Sequence, residues 1–136
     1  MTDDRGQLMV VDAANVVGSR PDGWWRDRAG AARRLLVKLN SLDVRSKLPA
    51  EVVVVLEGAA IAAVAGADDP ELEGLRVVLA HGSGDDEIVR VVAAAAEEDD
   101  NRSITVVTAD RGLRARAETL GANVIGPRQL LDRIES

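Results

Sequence analysis

Three short apolar runs in this chain each end at an acid. Leu8-Met9-Val10-Val11 runs into Asp12, Val52-Val53-Val54-Val55-Leu56 into Glu57, and Ile104-Thr105-Val106-Val107-Thr108-Ala109 into Asp110. A further acidic group, Asp85-Asp86-Glu87, follows the glycine-rich His81-Gly82-Ser83-Gly84. Carboxylates gathered in one place repel one another unless a cation neutralises them. Oxygen donors without histidine or cysteine partners select hard ions, so Mg²⁺ or Mn²⁺ rather than zinc. Such an ion polarises a phosphate, activates a water and offsets charge on the leaving oxygen. The chemistry that calls for this set is metal-assisted phosphodiester hydrolysis. Each acid alone has a plainer reading: a strand-end aspartate caps a turn or helix, Asp85 or Asp86 is a good helix N-cap, and Glu57 can be only a loop acid.

The elements that would bring these acids together can be read from the apolar patterning. The valine-rich runs read as short strands buried on both faces, the signature of a parallel sheet covered by helices. In an open sheet of this kind ligands sit just beyond the C-terminal strand ends. After the first strand, Val16 to Arg26 reads as a loop, with a Pro-Asp-Gly turn at Pro21-Asp22-Gly23. Asp27 is the expected N-cap of a helix from about Arg28 to Leu42, with Ala32, Leu35, Leu36, Leu39 and Leu42 on its inner side. Ala59 to Ala65 is weakly helical, and Gly66 to Gly74 reads as an acidic surface loop. A third, shorter strand covers Arg76 to Ala80. A helix then opens at Asp85-Asp86-Glu87, where acids favour the positive end of the helix dipole. After Asp110 come a basic helix over Arg111 to Leu120, a strand at Asn123-Val124-Ile125 and a last helix from near Pro127. Strands alternating with helices predict a three-layer α/β/α domain with a mostly parallel sheet.

Composition bounds the class. At 136 residues the expectation is a single domain spanning 1–136. The chain is 46% hydrophobic with almost no aromatic residues, so its core must be built from Val, Leu, Ile and Ala. It contains no cysteine, which fits a reducing compartment. It shows neither a signal-peptide pattern nor an apolar run approaching the ~18 residues that span a bilayer. A cytoplasmic protein with no membrane association is expected. The net charge of −6 argues against coating nucleic acid by charge alone. The charge is uneven, however, because Arg20, Arg26, Arg28, Arg33 and Arg34 fall within one short region.

The region around Arg20 also holds the only tryptophans, Trp24 and Trp25. Beside Arg20, Arg26 and Arg28 these rings could stack bases and hold the phosphates of a single strand. Equally, one ring could pack under the loop with the arginines merely solvated. Arg111 directly follows Asp110 and is placed to touch a bound phosphate, whereas Arg114 reads as a surface charge. Ser83 either donates to a phosphate or simply begins the helix, and the lone His81 reads as structural.

Taken together, Val10-Val11-Asp12-Ala13-Ala14-Asn15-Val16-Val17-Gly18, Glu57-Gly58, Asp85-Asp86-Glu87-Ile88-Val89 and Thr108-Ala109-Asp110-Arg111-Gly112-Leu113 resemble the PIN-like nucleases. Within that group they are most similar to the YacP-like members of the NYN domain family. The resemblance covers nearly the whole chain in the same order. It implies a parallel sheet flanked by helices and a divalent-metal ribonuclease site. By motif, Asp12 resembles the first-strand metal ligand and Asn15 its positioning partner. Asp86, with Asp85 beside it, resembles the helix-start ligand. Asp110 resembles the acid of the Thr/Ser-x-Asp motif, with Thr108 the hydroxyl that orients its loop. Ala13 departs from the pattern, standing where a glycine is common. The leading expectation is thus a Mg²⁺- or Mn²⁺-dependent ribonuclease acting on RNA. The alternative is a non-catalytic RNA-binding or partner-binding module of the same fold. The chain has no Asp-x-Asp of the haloacid-dehalogenase phosphatases, no late-strand lysine of receiver domains and no Walker or Rossmann glycine pattern. The alanine-rich helix over Ala93 to Ala96 offers a surface for a homodimer.

Overall fold

Five strands form one parallel sheet in the computed structural model, which describes residues 7–20, 23–49, 51–63, 74–99 and 101–135. The strands are β1 (Gln7–Asp12), β2 (Glu51–Leu56), β3 (Arg76–Leu79), β4 (Ser103–Val107) and β5 (Asn123–Ile125). They lie in the order β3-β2-β1-β4-β5, all neighbours parallel. The helices are α1 (Ala13–Gly18), α2 (Arg28–Leu39), α3 (Leu42–Arg45), α4 (Gly84–Glu98), α5 (Arg111–Thr119) and α6 (Pro127–Glu135). The chain lays down β1, β2 and β3 in one direction, then returns through α4 to place β4 on the other side of β1. Strand order therefore reverses between β1 and β4, and the crevice beyond their C-terminal ends is the switch point where such sheets bind ligands.

Side chains alternate across a strand, so each valine run serves two cores. Met9, Val11, Val52, Val54 and Val107 pack against α2 and α6 through Leu35, Leu36, Leu39, Leu130 and Ile134. Leu8, Val10, Val53, Val55, Ile104 and Val106 pack against α4 and α5 through Ile88, Val92, Leu113 and Ala117. A strand covered on both faces needs no polar side, and Val52 to Leu56 is buried throughout. The three-layer α/β/α architecture expected from the sequence is the one found.

Five local readings change. The stretch after Asp12 is not a loop from Val16. It opens at once into α1, capped by Asp12 itself and docked through buried Ala13 and Val16. Trp24–Arg26 forms a short 3₁₀ turn. The long helix stops at Leu39, because Asn40 ends it and Ser41 turns extended before α3 begins. Ladder pairing of β4 stops at Val107. Thr108 N–H still reaches Ile125 O at 3.0 Å, but the next two amides turn to side chains. The weakly helical Ala59 to Ala65 is a 3₁₀ helix over Gly58–Ala63 as far as it is described. Pro21-Asp22 and most of the acidic loop, residues 66–73, lie outside the described residues.

The C-terminal helix is tied down electrostatically as well as by Leu130, Leu131 and Ile134. The Glu135 carboxylate accepts hydrogen bonds from Arg20 of the segment after α1 and from Lys38 Nζ of α2 at 2.8 Å. These bonds, Arg20's first, hold the exposed Glu135 carboxyl down at about 2. A depressed carboxyl contributes stability above its unfolded value and loses it as pH falls through the folded one. Glu135→Gln should therefore melt below wild type at neutral pH, with the gap closing as pH approaches 2. High salt should also narrow it. A gap unchanged by acid and salt in paired thermal melts would contradict this account of α6.

Candidate active site

Asp12 is the last residue of β1 and the N-cap of α1, and it is only 4% exposed. A buried carboxylate must find donors. Asp12 Oδ2 accepts from Asn15 Nδ2 at 2.7 Å and from Thr108 Oγ1 at 2.9 Å, while Oδ1 accepts from Asn15 N–H at 3.3 Å. Both partners pass the connection on. Asn15 Oδ1 accepts from Ala109 N–H at 3.2 Å, and Thr108 Oγ1 accepts from Asp110 N–H at 3.1 Å. The end of β1 is thus laced to the segment leaving β4 through two side chains, each donating and accepting.

Asp110 caps α5, its Oδ1 accepting from Leu113 N–H at 2.8 Å. Glu57, one residue past β2, reaches the start of α4, where Oε2 accepts from Gly84 N–H at 2.8 Å. Glycine lets the two approach closely, since a Cβ on Gly84 would lie 2.9 to 3.1 Å from the Glu57 carboxylate and would make it shift. Ser83 caps the same helix, its Oγ accepting from Asp86 N–H at 3.4 Å.

Asp85 and Asp86 part company. Asp86 is exposed and accepts from Arg116 Nη1 of α5 at 3.0 Å. Asp85 is half-buried, and its carboxyl is pushed up first by burial and then by the charges of Asp110, Asp12 and Glu57, against the pull of Arg116. Asp85 thus feels the other acids, while Asp86 is engaged by Arg116. The helix period held the signal: Asp85 is three residues before buried Ile88 and seven before buried Val92, whereas Asp86 lines up with exposed Arg90. The Asp12 carboxyl is also raised. Burial is the chief cause, outweighing the hydrogen bonds from Thr108 and Asn15, and Glu57 adds repulsion. Among the described residues no three acidic or histidine side chains converge closely enough to form a ready-made metal group. What the structure holds is an all-oxygen set around the switch point, with one oxygen each of Asp110 and Glu57 committed to a helix start.

The expected substrate-binding residues are dispersed. Trp24 is half-buried with the Arg28 guanidinium 5.5 Å from its ring centroid. Trp25 is 53% exposed, meets Trp24 edge-on and carries Arg26 at 5.9 Å. Arg111 is exposed at the first turn of α5, next to Asp110. Arg20 is engaged by Glu135, away from this role. Arg114 pairs with Glu118 on the same helix, as a surface charge would. Exposed His81 lies between β3 and α4.

This architecture is the fold seen in solved YacP structures. The structure superposes on that of Rae1 (YacP) from Bacillus subtilis with a TM-score of 0.69, 19% identity, and coverage of 94% of this chain and 73% of that one. For the W164L mutant of the same protein the TM-score is 0.72, with 21% identity over 95% of this chain and 75% of that one. No protein-family profile and no curated protein matches the sequence. Among the described residues no helix is long and apolar enough to cross a membrane.

A raised carboxyl has a stability consequence of definite sign. The folded state holds that proton more tightly, so stability is lost as pH rises from the ordinary value of 3.8 through the raised one. Asp85→Asn should melt above wild type at neutral pH in the presence of chelator, and the two should converge below the ordinary carboxylate range. Thr108→Val should do the opposite, costing about 1–3 kcal/mol by leaving the Asp12 carboxylate a donor short. An Asp85→Asn protein that melts below wild type would show that this carboxylate is a structural cap.

Proposed function

We propose that the chain is a single-domain, divalent-metal-dependent ribonuclease that hydrolyses RNA phosphodiester bonds at the acids beyond β1 and β4. The observation that carries this reading is the buried Asp12, positioned by Asn15 and Thr108 at the switch point, beside the Asp110 that caps α5. Asp12, Asp85 and Asp110 are the proposed ligands, and their all-oxygen chemistry suits Mg²⁺ or Mn²⁺. Such an ion, when bound, supplies charge for the phosphate and leaving oxygen and a more acidic water. Asn15 and Thr108 act as positioning residues, holding the Asp12 carboxylate by their hydrogen bonds. Asp86 serves in this reading through Arg116, which it orients over α5. Arg111 is free to meet a phosphate held at Asp110. The Trp24, Trp25, Arg26 and Arg28 segment binds the strand, and Ser83 contributes at the mouth of α4.

The absence of three converged acids among the described residues is the observation favouring a second reading, an RNA-binding or partner-binding module with the same fold. Cleavage separates the two. A labelled RNA should be cut with Mg²⁺ or Mn²⁺ and not with EDTA. Asp12→Asn and Asp110→Asn should each abolish cutting, since each removes a charge and nearly preserves shape. Asn15→Ala and Thr108→Val should lose about 10- to 100-fold, the usual cost of removing a ligand's hydrogen-bond partner. Full activity of Asp12→Asn from a nuclease-free preparation would overturn the proposal and leave the binding module.

A further inference from the structure

We propose that a pocket of about 350 Å³ beside these acids receives one unpaired nucleobase of the RNA strand, and that Glu57 makes guanine the best-matched base. The inference rests on the RNA reading above and extends it to substrate class. The pocket lies between the start of α1 and the segment after β2, lined by Ala14, Val17, Trp24, Arg28, Glu57 and Gly58 among others. Its neighbours along the chain are the catalytic candidates themselves: Ala13 and Ala14, both on its wall, separate Asp12 from Asn15. A strand crossing the acids therefore carries an adjacent nucleotide over this opening.

The lining has the properties a base requires. Small residues, Ala13, Ala14, Gly58 and Gly82, leave the space open. Trp24 offers an aromatic surface, and the Arg28 guanidinium stacked 5.5 Å from its centroid adds positive charge near a phosphodiester. The volume lies at the low end of the ~300–1,000 Å³ typical of small-molecule sites, enough for one heterocycle with part of its sugar and too little for a base pair. A base held in a duplex cannot enter, so the pocket selects single strands. Glu57 sets the polarity. Among the described residues its carboxylate takes one hydrogen bond, from Gly84 N–H, and an ionised carboxylate only accepts. Guanine presents two adjacent donors, N1–H and N2–H, to such a group. Uracil presents N3–H between two carbonyl oxygens that would face the same charge.

The test reads binding, in EDTA, so that cleavage plays no part. Short labelled single-stranded RNAs carrying one abasic site at successive positions are titrated by fluorescence anisotropy. One position should bind about tenfold more weakly than the intact strand, the loss expected for one aromatic-stacked base. Guanine at that position should bind more tightly than uracil, and the duplex form should not compete. Ala14→Leu, an exposed position on the pocket wall, should fill the space and erase the sensitivity at that position without unfolding the protein. Trp24→Ala should erase it too. A flat abasic scan, equal binding of duplex, no binding of RNA, no preference for guanine, or a positional effect that survives Ala14→Leu would each overturn the proposal. A flat scan from a protein that cuts RNA in Mn²⁺ would leave the nuclease reading standing. A clear positional effect from a protein that never cuts would retain the pocket and overturn the nuclease.

Discussion

The site depends on what it takes to keep one carboxylate buried. Asp12 is 4% exposed at the end of a central strand, and an ionised group in that position must be surrounded by donors or lose its charge. The donors come from two places, Asn15 in the first turn of α1 and Thr108 beyond β4, so solvating Asp12 fixes how both segments leave the sheet. Asn15 then holds Ala109, and Thr108 holds Asp110, so the second acid is placed by the same bonds that satisfy the first. The bonds do not fully offset burial, because the Asp12 carboxyl still sits above its ordinary value. Asp85 is raised as well, partly by Asp110, Asp12 and Glu57. The cation that opposes this repulsion, Arg116, gives its hydrogen bond to Asp86. In the proposed reading a hard divalent ion held among these acids offsets this repulsion.

Helix starts supply the rest of the compensation. Asp110 caps α5 and Glu57 reaches Gly84 at the head of α4, so two acids each bind backbone N–H groups where the helix dipole favours negative charge. Each of these contacts uses one carboxylate oxygen. The same contacts that hold the crossover helices to the sheet thus keep the acids at its edge. Gly84 allows this close approach, since a side chain there would displace the Glu57 carboxylate.

Much of this was legible in the sequence, for reasons specific to particular residues. Uninterrupted Val52 to Leu56 marks a strand buried on both faces, and the runs ending at Asp12, Glu57 and Asp110 place three acids at one sheet edge. The helix at Ala13–Gly18 was not legible, because Val16 and Val17 weigh against helix and the element depends on Asp12 capping it and on Val16 docking. The break at Asn40 was missed because Leu42 continues the apolar spacing of α2. The choice of Asp85 over Asp86 follows from the rotation of α4, which Ile88 and Val92 announce once the helix is known to start at Gly84. The Glu57–Gly84 contact, spanning 27 residues, leaves no local pattern at all.

The claim that the acids beyond β1 and β4 form one cation site is tested most directly by calorimetric titration of Mn²⁺ into the metal-free protein, without RNA. The account predicts saturable binding that is lost in Asp12→Asn and weakened in Asp85→Asn, while Asp86→Asn stays close to wild type. It also predicts proton release on binding at any pH where the raised carboxyls still hold protons, because they must ionise to ligate. No Mn²⁺ binding, or binding indifferent to Asp12, would contradict it.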